Sequence, residues 1–305
     1  MTEVTVRAPA TVSNVVVGFD CLGFALELPF DEVTVRIIDE SRVRIIHHDD
    51  FDLPTEPEQN VAGVALSALI KTAELTHGFE VEITKNIMPG SGVGSSSASS
   101  CGAVFAANQL IGDRFTKHDL TELAMLGEQL ASGSRHADNA APCIYGGFVL
   151  VRSTDPLDIT EIEHPPLWAT VIHPQIEVKT SESRAILPSQ VPLKDAVRNW
   201  SNLAAFVTAL SSGDYDLMAR SMEDFIVEPV RQTLIPKYEE VKAACLEAGA
   251  IGGGISGSGP SMFMLSDNIN TADEVADAME SVFSNSEIER NVYVSAISRD
   301  GVTIM

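Results

Sequence analysis

The chain has 305 residues, 45% of them hydrophobic and 21% charged, which excludes a disordered chain and is too long for one small core. Its formal net charge of −23 excludes DNA or RNA as the main partner, because a nucleic-acid surface needs a basic field. A nucleotide bound here must have its charge met locally, by backbone amides, a metal ion and a few arginines.

The elements follow in chain order. "VTVRAPA" alternates and breaks at Pro9, and "DEVTVRII" and "RVRIIHH" read as further strands around a turn at residues 39–41, an antiparallel beginning. After the polar, proline-bearing "LPTEPEQN", "VAGVALSALIKTAEL" has helical spacing, and "FEVEITKNI" alternates before the stretch "PGSGVGSSSASS". Thr116 and Asp119 predict a capping box for "LTELAMLGEQLASG", a helix that stops near Gly133. "GGFVLVRS" is the next strand. From Pro165 the pattern begins afresh: a strand "LWATVIHP", helices over 194–212, 214–226 and 236–248, a strand "SMFMLS", a helix near 271–284 and a strand "NVYVSAIS". The break at "EHPPL" divides the chain into domains 1–165 and 166–305, and the fold class is α+β.

No basic patch followed by an apolar run opens the sequence, and no segment approaches the roughly 18 apolar residues of a membrane span. A cytoplasmic protein with no membrane partner is expected. Cys21, Cys101, Cys143 and Cys245 lack C-x-x-C spacing, so neither a zinc site nor a disulfide framework is expected.

Chemistry concentrates in four stretches. In "PGSGVGSSSASS", Gly90, Gly92 and Gly94 let backbone approach an anion, and Ser95, Ser96 and Ser97 add hydroxyls able to bond phosphate or ligate Mg2+. The helix that follows offers unpaired N–H groups and the positive end of its dipole. The stretch has no Walker lysine and no G-x-G-x-x-G spacing. Taken alone it is equally a flexible loop with a serine cap.

"GGGISGSGP" is a second glycine-rich turn, between a helix and the strand "SMFML"; two such turns in different domains can close on opposite sides of one ligand. "GEQLASGSRHADNAAPCIYGG" sets Glu128 late on a helix and His136, Asp138 and Asn139 in the loop after it. "PATVSNVVVGFDCLG" puts Asn14 and Asp20 around a loop between strands. Each residue has a bland alternative: a solvated carboxylate for Glu128, a loop histidine for His136, a turn residue for Asp20, surface ion pairs for Arg184 and Arg231.

Three ordered motifs, "PATVSNVVVGFDCLGFAL", "PGSGVGSSSAS" and "GGGISGSGPSMF", together with "SGSRHADNAAPCIYGG", span almost the whole chain. On these the sequence resembles the GHMP kinase superfamily, and within it the homoserine kinase family. Two departures stand out: Val93 fills a position usually held by leucine in a shorter loop, and "NVVVGFD" replaces a more glycine-rich version.

The resemblance implies an N-terminal domain like the second domain of ribosomal protein S5, a ferredoxin-like C-terminal domain, ATP and substrate between them, and a homodimer. It implies that Pro89, Gly90, Ser91, Gly92, Val93, Gly94, Ser95, Ser96 and Ser97 wrap the ATP phosphates. Ser96 and Glu128 would hold Mg2+, and Asn60 would touch adenine. L-Homoserine would be held by Asn14, Asp20, His136, Asn139, Arg184 and Arg231. A zwitterionic amino acid needs an anion for its ammonium, which Asp20 supplies, and arginine forks fit its carboxylate.

The implied reaction moves the γ-phosphoryl group of ATP to the side-chain hydroxyl, giving O-phospho-L-homoserine on the route to threonine. Such transfers depend mainly on positioning and charge stabilisation. Asn139 is implied to face the hydroxyl, and Asp138 matches an aspartate that takes the hydroxyl proton in mevalonate kinase-like members, which leaves the base open. The alternatives are a kinase of the same superfamily acting on shikimate or a mevalonate-like alcohol, and a non-catalytic ligand sensor.

Overall fold

The computed structural model of the chain describes residues 2–305. Alternating apolar residues make β1 (Glu3–Ser13) and β2 (Leu22–Ile38) a long antiparallel pair, with Val4, Val6, Val33 and Val35 buried. β3 (Val43–His47) does not return against β2, although only a short turn separates them. A crossover helix, α1 (Val61–Thr72), follows it, and β4 (Gly78–Thr84) then inserts between the two, antiparallel to β2 and parallel to β3. A parallel neighbour requires such a crossover. Asn60 starts α1 by accepting from the N–H groups of Ala62 at 2.9 Å and Gly63 at 3.2 Å, a cap worth about 1 kcal/mol.

Two more helices complete this layer. α2 (Ser95–Leu110) lies on β1 and β2, and α3 (Lys117–Ser132) packs beside it and α1. α2 can sit close because its residues are small: a Cβ on Gly102 would fall 2.8 Å from Val33 Cγ2 and 3.1 Å from Ala8 Cβ. The capping box of Thr116 and Asp119 is formed, and α3 ends at Gly133 in a left-handed conformation. α4 (Ala140–Tyr145) leads into the hairpin β5 (Phe148–Thr154) and β6 (Leu157–Ile162), and β5 pairs with the start of β2.

The chain then builds a second sheet. Its elements are β7 (Trp168–Pro174), α5 (Thr180–Ala185), α6 (Leu193–Ser212), α7 (Tyr215–Ser221), α8 (Glu228–Arg231), α9 (Tyr238–Glu247), β8 (Gly252–Ile255), β9 (Met262–Ser266), α10 (Ile269–Phe283) and β10 (Arg290–Ala296). The order β10-β7-β9-β8, antiparallel throughout and covered by α9 and α10, is that of a ferredoxin-like unit. β11 (Thr303–Ile304) returns to the first sheet beside β1.

Two sequence expectations change here. The helix expected over 214–226 stops at Ser221, because the Asp224 carboxylate takes the N–H groups of Ile226, Val227 and Glu228 and opens α8 instead. Glycines 252–254, expected in a turn, form strand β8, where a Cβ on Gly253 would run into the Phe263 carbonyl. The two halves share a core: Phe24 lies 4.8 Å from Phe148 and 5.6 Å from Phe263, and Phe148 lies 6.2 Å from Phe206 of α6. Among the described residues no helix is long and apolar enough to cross a membrane.

Candidate active site

The turn from β4 into α2 holds Gly90, Gly92 and Gly94 at φ of 75°, 83° and 71°, a left-handed region that favours glycine. Gly94 caps α2, and a Cβ there would strike Thr11 Oγ1. The first-turn N–H groups of α2 have no intrahelical partner. They open onto a cavity of about 360 Å³ lined by Pro89, Gly90, Gly92, Gly94, Ser95 and Ser96. Ser91, Val93 and Ser97, grouped with these residues by sequence, do not line that cavity and are buried.

The two glycine turns do not face one another across a space. They pack directly against one another: Ser256 Oγ donates to the Gly92 carbonyl at 2.7 Å and Ser261 N–H to the Ser91 carbonyl at 3.3 Å. Gly257 and Ser258 nonetheless reach the same cavity. Sequence reasoning missed Lys85, whose buried ammonium lies beneath the first turn of α2. It donates to the Ser95 carbonyl at 2.7 Å and Ser99 Oγ at 3.0 Å, and pairs with the buried Asp31. No spacing marks that role, because "TKN" reads as the polar end of a strand.

Asn60 lines one wall, but its amide is fully used. Besides capping α1, its Nδ2 donates to the Pro54 carbonyl at 2.7 Å and to His47 Nε2 at 3.1 Å, leaving no side-chain hydrogen for a ligand. His47, Leu53, Pro54 and Val61 complete this wall.

Glu128 is not a solvated helix carboxylate. It is buried against the N-terminus of α2, and its Oε1 has no hydrogen-bond partner among the described residues. Burial pushes its carboxyl up to about 7, while the Ser96 and Ser97 hydroxyls and the Lys85 charge pull the other way. An orphaned buried carboxylate oxygen beside a serine hydroxyl, at the mouth of an anion site, is a donor set that fits Mg2+.

Asp138 and Asn139 lie together at the start of α4. Asn139 Oδ1 accepts from Thr11 Oγ1 at 2.8 Å and its Nδ2 donates to Ser13 Oγ at 3.0 Å, leaving one amide hydrogen free for a ligand. Asp138 is buried, and burial, followed by the Asp20 charge, raises its carboxyl above the usual range.

The remaining predicted residues meet at the other end of the cavity. Asp20 and Arg184 form a bidentate ion pair, at 2.8 and 3.0 Å, instead of standing apart to await a ligand. Arg184 also donates to His136 Nε2 at 3.2 Å, which leaves Nδ1 of that ring as the protonated nitrogen, turned to Asp20 at 3.7 Å. Asn14 accepts from Asp20 N–H at 2.9 Å and donates to the Gly257 carbonyl at 2.6 Å, joining the two halves of the chain. Arg231, only 3% exposed, forms no ion pair among the described residues: it donates to the carbonyls of Ser183 at 3.3 Å and Gly257 at 3.0 Å. Burial, then the Arg184 charge, lowers it to about 10. The charges of Asp20, Asp138 and Asp224 act on it without direct contact, and a buried cation with no contacting counterion is poised for an anion.

Comparison with known proteins agrees with this geometry. The family profile of the GHMP kinases N terminal domain matches residues 60–147, and that of the GHMP kinases C terminal matches residues 206–285. The homoserine kinases of Chloroherpeton thalassium and Chlorobaculum tepidum are 44% and 41% identical, over 100% of this chain and 100% and 99% of theirs. A crystal structure of homoserine kinase from Cytophaga hutchinsonii, 47% identical, superposes with a TM-score of 0.96 over 100% of this chain and 98% of that one. The L. major mevalonate kinase solved with R-mevalonate, 14% identical, shares the fold at a TM-score of 0.70 over 95% of this chain and 94% of that one. With both domains matched and full-length relatives above 40% identity, the chain belongs to the GHMP kinase family.

Proposed function

We propose that the chain is an ATP-dependent kinase that phosphorylates the side-chain hydroxyl of L-homoserine, giving O-phospho-L-homoserine on the route to threonine. The carrying observation is the joint presence, in one cavity, of a glycine-shaped helix N-terminus, a carboxylate at Asp20 and a buried Arg231 that forms no ion pair among the described residues. The first suits a polyphosphate; Arg231 suits any carboxylate, and Asp20 selects a zwitterion over shikimate or mevalonate, which carry a carboxylate but no ammonium group.

In this reading Gly90, Gly92, Gly94, Ser95 and Ser96 offer backbone and hydroxyl donors to the phosphates, and Ser91, Val93 and Ser97 hold that loop from behind. Asn60 shapes the base wall through its cap instead of bonding the base. Glu128 and Ser96 are the ligands for Mg2+, which when bound supplies neutralising charge to the triphosphate. Asp20 with Asn14 receives the substrate ammonium, Arg231 the carboxylate, and Arg184 joins it by exchanging part of its bond to Asp20. His136 holds Arg184 in place. Asn139 aligns the hydroxyl with its remaining amide hydrogen, while Asp138, which lines the same cavity and is kept basic by burial, accepts the proton as the phosphoryl group arrives.

Four cysteines without disulfides fit a reducing, cytoplasmic setting. An exposed apolar stripe on α6, formed by Leu193, Val197 and Trp200, fits a homodimer.

A coupled assay of ADP release with homoserine, threonine, shikimate and mevalonate tests the reading. Homoserine should give the highest kcat/KM, by at least about 100-fold over shikimate and mevalonate, the discrimination expected of a site whose charges are not all met by a ligand without an ammonium. Preference for shikimate or mevalonate would overturn it, and ligand binding without turnover would favour the sensor. In the same assay Asp138→Asn should lower kcat at least about 100-fold with little change in KM; near-full turnover would leave Asn139 as the positioning group with no side-chain base.

A further inference from the structure

Asp20 is preceded by an aromatic residue for which the proposed chemistry has no role. Phe19 is half-buried and does not line the cavity. Its ring nevertheless meets both arginines of the substrate end, with guanidinium carbons 5.3 Å (Arg184) and 5.0 Å (Arg231) from the ring centroid. Two like charges at one site repel. Arg184 has Asp20 as a direct counterion, whereas Arg231 is met directly by two neutral carbonyls and the ring, with Asp20, Asp138 and Asp224 acting on it without contact. The electron-rich face of an aromatic ring attracts a guanidinium within about 6 Å, so Phe19 can hold two cations together without neutralising either. A carboxylate in its place would fill the site with negative charge and repel the ligand's anion.

The backbone supports this placement. Asn14, Val15, Val16 and Asp20 have φ of 70°, 31°, 59° and 60°, an uncommon conformation for residues other than glycine and rarer still for β-branched valine. Such strain persists only where surrounding contacts over-determine it. Here Asn14 supplies them, bonding Asp20 N–H at 2.9 Å and the Gly257 carbonyl at 2.6 Å. The result is a rigid turn that delivers a ring and a carboxylate from adjacent residues to the same pair of guanidinium groups.

We infer that Phe19 is a positioning residue that sets the spacing of the Arg184 and Arg231 guanidinium groups and thereby determines affinity for the substrate carboxylate. This rests on the homoserine kinase reading of the site. Loss of the ring removes two cation–π contacts and leaves the spacing of Arg231 from Arg184 to its two carbonyl bonds alone.

The test compares Phe19→Leu and Phe19→Tyr with the unaltered protein. Phe19→Leu should raise the KM for L-homoserine about 10-fold and leave the KM for ATP within about twofold. Phe19→Tyr, which keeps the ring, should stay close to the unaltered protein. L-2-Aminobutyrate, which has the ammonium and carboxylate but no hydroxyl, should lose the same factor as an inhibitor. 3-Amino-1-propanol, which has the ammonium and hydroxyl but no carboxylate, should change less than about twofold as substrate or inhibitor.

Equal losses for the two analogues, or an unchanged KM for homoserine in Phe19→Leu, would overturn the inference. Failure of the unaltered protein to phosphorylate homoserine would instead overturn the functional reading. Should Phe19→Leu not fold, Phe19→Met, unbranched and without a ring, takes its place under the same criteria.

Discussion

Burial holds the Glu128 carboxyl near a pKa of 7 against a usual 4.5, so between those values the folded chain keeps a proton that the unfolded chain has lost. A group whose pKa is raised by folding supports stability at low pH, and that support drains away as pH climbs towards the folded pKa. Without nucleotide or divalent metal, the chain should therefore lose up to about 3 kcal/mol from this residue between pH 4.5 and 7, since each pH step of one across that window costs about 1.36 kcal/mol. Glu128→Gln removes the titration. Urea unfolding at pH 5 and pH 8 should show the variant near the unaltered protein at the lower pH and about 3 kcal/mol more stable at the higher, while its kinase activity collapses. Parallel stabilities at both values would show that Glu128 is not held in that environment. Motifs in the sequence singled out Glu128 and Asn139, and both line the cavity. Pairing was not legible there: Asp20 and Arg184 both read as ligand residues, and nothing local tells that two side chains 164 positions apart neutralise each other. Lys85 went unread for the same reason, since its partner Asp31 comes from a different strand.

The phosphate turn shows how an element constrains its residues. Gly90 and Gly92 share a left-handed φ, yet a Cβ on Gly90 would meet nothing within 4 Å, whereas one on Gly92 would lie 2.7 Å from the Gly259 carbonyl and 2.8 Å from that of Ser256. Those neighbours are backbone of the other turn and cannot rotate aside. Gly90→Ala should cost only the conformational term, about 1–2 kcal/mol. Gly92→Ala adds a clash, and should destabilise by at least about 1 kcal/mol more and raise the KM for ATP several-fold; thermal melts and ATP titration of both variants check this. Equal losses in the two would mean that the turns do not pack as described. Among the elements, α3 was the most legible, because amphipathic spacing, a capping box and a terminal glycine all agree. α5 was invisible: its six residues are too few to form a helix on propensity alone. It is held by tertiary bonds, Ser183 Oγ to the Ser258 carbonyl at 3.1 Å and Thr180 Oγ1 to Ser258 Oγ at 3.2 Å.

At the scale of the whole molecule, α+β character followed from the change of periodicity, but the shared core did not. Phe24, Phe148, Phe206 and Phe263 come from four separate elements, and only the folded chain brings them together to lock the two halves around the cavity. α6 takes part with its C-terminal half, burying Phe206, Ala209 and Leu210. Its N-terminal half does the opposite: Leu193 is 71% exposed, Val197 42% and Trp200 54%, at the i, i+4 and i+7 spacing of one helix face. A two-fold dimer in which this stripe meets its own copy would remove it from water. Each copy of the chain, however, carries a net charge of −23, so two copies would repel at long range while their apolar faces would attract at contact. Added salt screens the repulsion and leaves the contact intact. Light scattering should therefore give twice the 32.7 kDa of one chain, with dissociation on dilution at low ionic strength and tighter association at about 0.5 M salt. Trp200→Asp, exposed and outside the cavity, should yield a folded monomer at both salt levels. A mass of 32.7 kDa for the unaltered chain at high salt, or dimers undisturbed by Trp200→Asp, would remove α6 as the interface.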